Sequence, residues 1–469
     1  MALINDTLRL RDLDPSFLSR YNLIGPRYTS YPTAPQWTEA VGAAELRRHL
    51  ETQRERGAGR PLSIYVHIPF CIERCSFCAC NVIATPKRRA VSEPYLDLVE
   101  REAGLWSRSL SRERPVVQLH WGGGTPTYLS PPQLERLHAI LAERFNIAAD
   151  AERSVEIHVS WTSDEQLETL ARLGFNRISL GVQDFSERTM AAIGRRQSLE
   201  RTREAIQACR ALGFGGINFD LIYGLPHQTA ESFGETVERV IEMRPDRLAL
   251  YNFAYLPAKM PNQRAIDPKT LPAGAEKFRI FLEAHDRFVN AGYRYIGLDH
   301  FALPGDELAR AFDGGTMQRN FMGFTTRAGA DLVGMGASGI SSIAGLDTQN
   351  HKKLKAYERA LNANEFPAER GLMLSKDDLI RRDVIGAIMC RDVFDKGEIE
   401  RKHGIRFDAY FAEELARLAP LAADELLSMG GDAIRLTFLG RLFARNIAMV
   451  FDAYLKKPDA KNVTYSRTL

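Results

Sequence analysis

The chain is expected to fold as an α/β protein: a full or partial (β/α) barrel, with an N-terminal arm before it and a mainly helical C-terminal domain after it. Three observations lead there. From about residue 61, short apolar runs alternate with longer amphipathic stretches at least six times. That is the pattern of parallel strands joined by right-handed helical crossovers, and many such units close into a barrel or part of one. Before residue 61, Pro26, Pro32 and Pro35 punctuate an extended segment. After about Leu374, strand-like runs nearly vanish. The organisation read from this is 1–60 as arm and helix, 61–300 as barrel, 301–374 as barrel completion and substrate-side elaboration, and 375–469 as the mainly helical domain.

The elements follow in order. The arm carries one helix around Ala43–Gly57. Leu62–Ile68 reads as the first strand and Glu93–Leu105 as the first barrel helix. Val116–Trp121 is a strand. Pro131–Phe145 is a helix whose prolines suit its first turn. Ser154–Val159 is a strand, then Ser163–Leu173 a helix with Ser163 as N-cap and Gln166 three residues on, as in a capping box. Arg177–Gly181, Gly216–Ile222, Arg247–Tyr251 and Tyr293–Leu298 read as strands. Leu199–Leu212, Thr229–Met243 and Ala275–Val289 are the helices between them. In the tail, Lys376–Met389, Lys396–His403 and Asp408–Leu418 read as helices, Ala433–Thr437 as one short strand and Leu439–Leu455 as a final helix. This order is winged-helix-like, but the weak basic excess favours a lid or packing role over nucleic-acid binding.

Charge is nearly balanced, with 62 basic against 59 acidic residues, which gives no general drive toward nucleic acid. The runs Lys87-Arg88-Arg89, Lys352-Lys353 and Arg381-Arg382 read as solvated faces. The first ten residues have no apolar core of the kind a signal peptide needs, and no stretch approaches the roughly 20 apolar residues of a membrane helix. A cytoplasmic chain with reduced thiols is expected.

Four of the six cysteines fall within ten residues: Cys71, Cys75, Cys78 and Cys80. The spacing C-x3-C-x2-C can wrap three corners of a cubane iron–sulfur cluster, leaving one iron open to a small ligand. Structural zinc is the rival reading, but it usually takes two separated ligand pairs. Cys209 and Cys390 read as small core residues. The cysteine loop leaves the first strand. The second strand ends in Gly122-Gly123-Gly124-Thr125-Pro126, where the missing Cβ atoms let backbone approach a ligand and free amides could bind a carboxylate. The third strand offers Glu156 and His158, both expected on one face. A buried charge there needs a partner, either a ligand ammonium or Arg195. The fourth strand leads to Gln183 and Asp184, and the fifth ends at Asp220.

These motifs together resemble the radical S-adenosylmethionine superfamily, with Phe77 before the third cysteine and the Gly-Gly-Gly-Thr-Pro turn. Within it, the chain resembles the oxygen-independent coproporphyrinogen III oxidase family. The segments that carry this are Gly25-Pro26-Arg27-Tyr28-Thr29-Ser30-Tyr31-Pro32-Thr33, the added Cys80, Gly181-Val182-Gln183-Asp184-Phe185, Asp220–Pro226, Asp299-His300-Phe301-Ala302, Arg319-Asn320-Phe321 and Gly440–Ile447. The resemblance implies a barrel of the radical S-adenosylmethionine type, with Cys71, Cys75 and Cys78 holding a [4Fe–4S] cluster. It implies two S-adenosylmethionine molecules. Tyr65, Phe77, Gly123, Glu156, Ala254 and Ile340 would face the first, and Gly124, Thr125, Gln183, Arg195 and Asp220 the second. Glu156 suits an ammonium, Arg195 a carboxylate, and Asp220 ribose hydroxyls or an ammonium. Tyr65, Glu156 and Cys80 are the catalytic candidates, Cys80 being placed near the substrate and not on the cluster.

The implied reaction is anaerobic conversion of two propionates of coproporphyrinogen III to vinyl groups, giving protoporphyrinogen IX in haem synthesis. A 5′-deoxyadenosyl radical takes a hydrogen from the propionate β-carbon and carbon dioxide leaves. The implied partners are the tetrapyrrole, a low-potential donor such as flavodoxin or ferredoxin, and an electron acceptor of unidentified kind; by its charge, the run Lys87–Arg89 reads either as a dock for an acidic donor or as a solvated loop. Neither nucleic acid nor a membrane span is expected, and the chain is taken as a monomer. Two departures stand out. The run Glu156-Ile157-His158-Val159-Ser160-Trp161 replaces the family's x-Asp-Pro after the glutamate, and Met322 stands where relatives often have glutamine. They keep open a related enzyme acting on another tetrapyrrole or substrate, or a haem chaperone of the same family. His158 itself reads either as a haem or metal ligand or as a buried, hydrogen-bonded histidine.

Overall fold

The computed structural model describes residues 15–54, 57, 59–86, 88–456 and 465–468. The N-terminal ten residues and Lys87 of the first basic run lie outside the described residues. The central feature is a 12-stranded sheet. Its strands in chain order are β1 Leu62–Ile68, β2 Pro115–Gly123, β3 Asn146–Ile157, β4 Arg177–Gln183, β5 Gly216–Tyr223, β6 Arg247–Asn252, β7 Arg294–Gly297, β8 His300–Ala302, β9 Asp331–Met335, β10 Ile340–Ile343, β11 Leu346–Asn350 and β12 Ala368–Met373. The spatial order is β12-β11-β10-β9-β1-β2-β3-β4-β5-β6-β8-β7. β9 and β1 through β6 run parallel, and the strands at both ends are antiparallel. The two outermost strands, β12 and β7, do not pair with each other, so closure is partial.

Side-chain alternation explains what this sheet does. On β1, Ile64, Val66 and Ile68 are fully buried in the main core, while Tyr65 lies on the other face. Leu119 and Trp121 on β2, and Leu180 on β4, repeat the apolar side. The opposite face carries Gln118, His120, Ser154, Glu156, Ser179, Asn218, Asp220 and Tyr251, which line one cavity from five consecutive strands. Helices cover the apolar face. Their starts follow the sequence signals: Ser163 Oγ accepts from the Gln166 amide at 3.2 Å, and Gln166 Oε1 accepts from the Ser163 amide at 2.9 Å.

The tail departs from expectation in two places. Ala433–Leu436 is not a lone strand but the middle of a three-stranded sheet with Val393–Asp395 and Leu427–Gly430. Strands this short show no readable period. The expected helix Leu439–Leu455 is three pieces, Phe438–Leu442, Ala444–Val450 and the 3-10 turn Ala453–Lys456. Likewise Asp408–Leu418 falls on two helices, Phe407–Tyr410 and Ala412–Ala423, parted at Phe411.

The N-terminal segment is more integrated than an extended arm. It includes a helix at Pro15–Tyr21, and Tyr21, Tyr28 and Tyr31 are buried in the core of the C-terminal domain. Arg445 Nε donates to the Pro26 carbonyl at 3.0 Å, and Ile24 forms an antiparallel bridge with Arg467. Among the described residues no helix is long and apolar enough to cross a membrane.

Candidate active site

The cysteine loop is clamped where it leaves β1. Phe70–Cys71 pairs with Ile83–Ala84, and the Thr85 amide donates to the Cys71 carbonyl at 2.8 Å. Its middle is held from a distant turn. Asn262 Nδ2 donates to the carbonyls of Ser76 and Cys78, each at 2.9 Å, and to that of Cys75 at 3.3 Å. Gln263 Nε2 ties the Phe77 carbonyl (3.2 Å) to that of Ala254 (3.1 Å). Beneath, Phe77 packs on Met190, Ile193, Ile222, Leu225, Phe253 and Ile266.

All four thiols are free, with Cys71, Cys75 and Cys78 half-buried and Cys80 exposed. Cys71 Sγ lies 3.4 Å from Thr125 Oγ1, and Arg195 Nη1 lies 3.7 Å from Cys75 Sγ. Burial pushes Cys71 up to about 11 and also raises Cys75, against the nearby Arg195 charge. A hydrogen bond from the Cys80 thiol brings Cys78 down to about 7, and the same bond holds Cys80 well above its ordinary value. Among the described residues no three His, Cys, Asp or Glu side chains converge to hold a single ion. The half-buried trio on a loop pinned at both ends, with a cation beside it, fits a [4Fe–4S] cluster.

Next to the loop lies the polar face of the sheet. Tyr65 stacks on His120, with ring centroids 5.7 Å apart. His67 Nε2 lies 2.9 Å from the Asn81 carbonyl, which can only accept, so Nε2 carries the proton and Nδ1 accepts from the Tyr65 hydroxyl at 3.0 Å. Glu156 is held by His120 Nε2 at 3.2 Å and the Gly123 amide at 3.1 Å. Burial opposes its charge, but these donors win and its carboxyl sits below the usual range. Asp220 accepts from Ser179 Oγ at 3.0 Å and Asn218 Nδ2 at 2.9 Å. Burial first, then the Glu156 charge, raise Asp220 to about 6. Glu156, Asp220 and Tyr251 share a cavity of about 150 Å³ with His120 and Met322.

Three expectations are corrected. Of the two partners expected for Glu156, Arg195 is engaged elsewhere, donating to the Gly181 carbonyl and, at 3.1 Å, to Gln197 Oε1, while the protein group on Glu156 is the His120 ring. The glycine turn does not leave the empty Cβ space and free amides that were expected. A Cβ on Gly122 would meet the Glu156 carboxylate at 2.8 Å, on Gly123 the His67 ring at 2.6 Å, and on Gly124 the Phe70 carbonyl at 2.7 Å. Its amides are engaged too: Gly124 donates to the Ile68 carbonyl at 2.8 Å and Thr125 to that of Phe70 at 2.9 Å. His158 leaves the ladder, because β3 ends at Ile157. Its Nδ1 is buried without a partner, and burial together with the Arg195 charge keeps the imidazole neutral, so it is not hydrogen-bonded there as expected.

Tyr65, Glu156 and Asp220 therefore meet at the polar face, and Phe77, Thr125 and Arg195 at the loop. Gln183 ends β4 at a positive φ of 71°. Ile340 lies one strand beyond β9, its backbone against Gly334, the register partner of Tyr65. Sequence reasoning missed His67, His120, Asn218, Tyr251, Asn262 and Gln263. His67, His120 and Asn218 sit at alternate strand positions with Tyr65, Gly122 and Asp220, a usable signal, whereas no residue had been singled out on the strand of Tyr251. Asn262 and Gln263 follow Pro261 in an aperiodic turn that gives none.

The chain matches the Radical SAM superfamily over residues 65–240 and the HemN C-terminal domain over residues 374–443. A [4Fe–4S] cluster and S-adenosylmethionine are the cofactors of that class and of this chain. The chain is 45% identical over 466 residues to the oxygen-independent coproporphyrinogen III oxidase of Pseudomonas aeruginosa, covering 99% of this chain and 100% of that one. The protein of the same name from Escherichia coli K12 is 43% identical over 458 residues, covering 98% and 99%. The solved structure of coproporphyrinogen III oxidase (HemN) from Escherichia coli superimposes with a TM-score of 0.89 at 42% identity, covering 94% of this chain and 99% of that chain. The chain belongs to the oxygen-independent coproporphyrinogen III oxidase family.

Proposed function

We propose that this chain converts coproporphyrinogen III to protoporphyrinogen IX without oxygen, turning two propionates into vinyl groups. The observation that carries the reading is the pinned three-thiol loop beside a cavity holding two carboxylates of opposite character, Glu156 ionised and Asp220 near 6. When bound, the cluster and S-adenosylmethionine supply a one-electron cleavage that yields a carbon radical able to take a hydrogen atom.

The residues then have separate tasks. Cys71, Cys75 and Cys78 hold the cluster. Glu156, kept ionised by His120 and the Gly123 amide, takes the ammonium of the first S-adenosylmethionine, with Tyr65, Phe77, Gly123, Ala254 and Ile340 around it. Arg195 takes a carboxylate and Asp220 ribose hydroxyls or an ammonium of a second molecule, with Gly124, Thr125 and Gln183. Cys80 stands toward the substrate. A low-potential donor such as a flavodoxin or ferredoxin supplies electrons, a separate acceptor removes those of the substrate, and the chain works as a cytoplasmic monomer.

The test is an anaerobic assay of reconstituted protein with coproporphyrinogen III, S-adenosylmethionine and reductant. Mass spectra should show loss of two carbon dioxide units together with four hydrogens, since loss of carbon dioxide alone would leave ethyl groups. Cofactor cleavage without any vinyl product rejects this substrate. A second reading, a related enzyme on another tetrapyrrole, is favoured by Met322, which lines the cavity where relatives often have glutamine. The same spectra taken over several tetrapyrroles separate the two.

A further inference from the structure

Beside Tyr251 lies a second, smaller cavity of about 50 Å³, whose lining includes Arg27, Tyr223, Asn252, Lys277, Asp299 and Arg445. It has room for a carboxylate and not for a pyrrole ring. Its charge is unbalanced. Arg27, Lys277, Arg319 and Arg445 lie close enough to feel this group of charges, and among the described residues Asp299 is the one carboxylate lining the cavity. Arg27 pairs with Asp299, and its side chain stays 32% exposed against 7% for the aspartate. The Arg27 guanidinium also sits 5.9 Å over the Tyr251 ring, which lines the main cavity with Glu156 and Asp220.

Donors remain to be used. Lys277 Nζ gives one hydrogen bond, to the Phe253 carbonyl at 2.6 Å, and an ammonium has three protons to give. Burial and the Arg27 charge bring Lys277 down to about 8, as expected for a cation without a counter-ion. Arg319 Nε donates to the Tyr28 carbonyl at 3.3 Å, while its Nη1 is buried with no partner. Arg445 is held by carbonyls, which orient its charge without cancelling it. Surplus buried cations are costly unless an anion joins them.

We propose that Arg27 and Lys277 hold one propionate carboxylate of the tetrapyrrole in this cavity, with Arg319 and Arg445 adding to the field. This rests on the reaction proposed above. It makes Arg27 and Lys277 specificity residues: a tetrapyrrole whose side chains lack the carboxylate loses this anchor.

Wild-type turnover comes first, because a wild-type protein that forms no vinyl product fails the reaction and not the pocket. With turnover established, two variants are compared. Lys277→Met keeps the stem, and the double variant Arg27→Gln/Asp299→Asn keeps a hydrogen-bonded neutral pair. Each is titrated with coproporphyrin III and with its tetramethyl ester, followed by porphyrin fluorescence. The free acid should bind about tenfold more weakly or worse in each variant, with the ester unchanged, and KM for coproporphyrinogen III should rise while KM for S-adenosylmethionine holds. Free-acid binding within twofold of wild type, equal losses for acid and ester, or a shift confined to S-adenosylmethionine would each overturn the pocket. Should the double variant lose its cluster or melt early, Lys277→Met alone decides.

Discussion

The side-chain amide of Asn262 donates to the carbonyl of Cys78 across 2.9 Å, although 184 residues separate them. The same nitrogen faces the carbonyls of Ser76 and Cys75. Asn262→Asp keeps the shape but turns a donor into an acceptor facing three acceptors. Loss of the bond and the unmet carbonyls cost on the order of 1–3 kcal/mol locally. Iron and sulfide per chain after anaerobic reconstitution should fall severalfold, with little change in the melting temperature of the sheet. Wild-type iron content in this variant would show that the loop holds itself.

Gly123 and Gly213 make a matched pair for the turn. Both have positive φ, 115° and 85°, but a Cβ on Gly123 strikes the His67 ring while one on Gly213 meets nothing within 4 Å. Gly213→Ala should therefore cost only backbone strain, about 1–2 kcal/mol. Gly123→Ala should cost more, displace His67 from Tyr65 and the amide from Glu156, and weaken S-adenosylmethionine binding at least tenfold. Calorimetric titration of both variants checks this, and equal affinities would remove the His67 contact as the cause.

Asp220 sets a pH dependence with a definite sign. Its folded value near 6 lies above the unfolded value of about 3.9, so between the two the native state binds more protons. The stability linked to this proton is full below about pH 4 and is lost as pH rises through 6. Two units correspond to at most about 3 kcal/mol. Asp220→Asn should melt like the wild type at pH 4 and higher than it at pH 8. A constant gap across that range would assign the effect to packing.

Cys80→Ser should leave cluster content intact and abolish vinyl formation if, of the four thiols on the clamped loop, Cys71, Cys75 and Cys78 hold the cluster and Cys80, hydrogen-bonded to Cys78, stands toward the substrate. Iron content and product formation measured on one preparation decide it. An unchanged rate removes any role near the substrate.

The barrel strands, the Ser163 cap and the cysteine loop were legible in the sequence because each rests on local pattern: alternation, capping or spacing. The three-stranded tail sheet was not, since Val393–Asp395 is too short for a period and its partner Ala433–Leu436 lies forty residues on. Glu156 was found, but the partners read for it on charge alone were a ligand ammonium or Arg195, and Arg195 is engaged elsewhere. His120, a neighbour across the sheet, becomes visible only once β2 and β3 are in register. The glycine turn was read for the space it leaves, and that space is filled by Glu156, His67 and the Phe70 carbonyl, groups from three other points in the chain.

Arg445 grips the carbonyls of Gly25 and Arg467 together, and Thr468 reaches the wall of the small cavity beside Arg27. That wall is therefore assembled from two segments far apart in the chain, and it exists only where Arg445 holds both. A substitution or a deletion at Thr468 acts on the wall of that cavity. Kinetics gathered on such variants report a disturbed chamber wall, whatever the state of the metal.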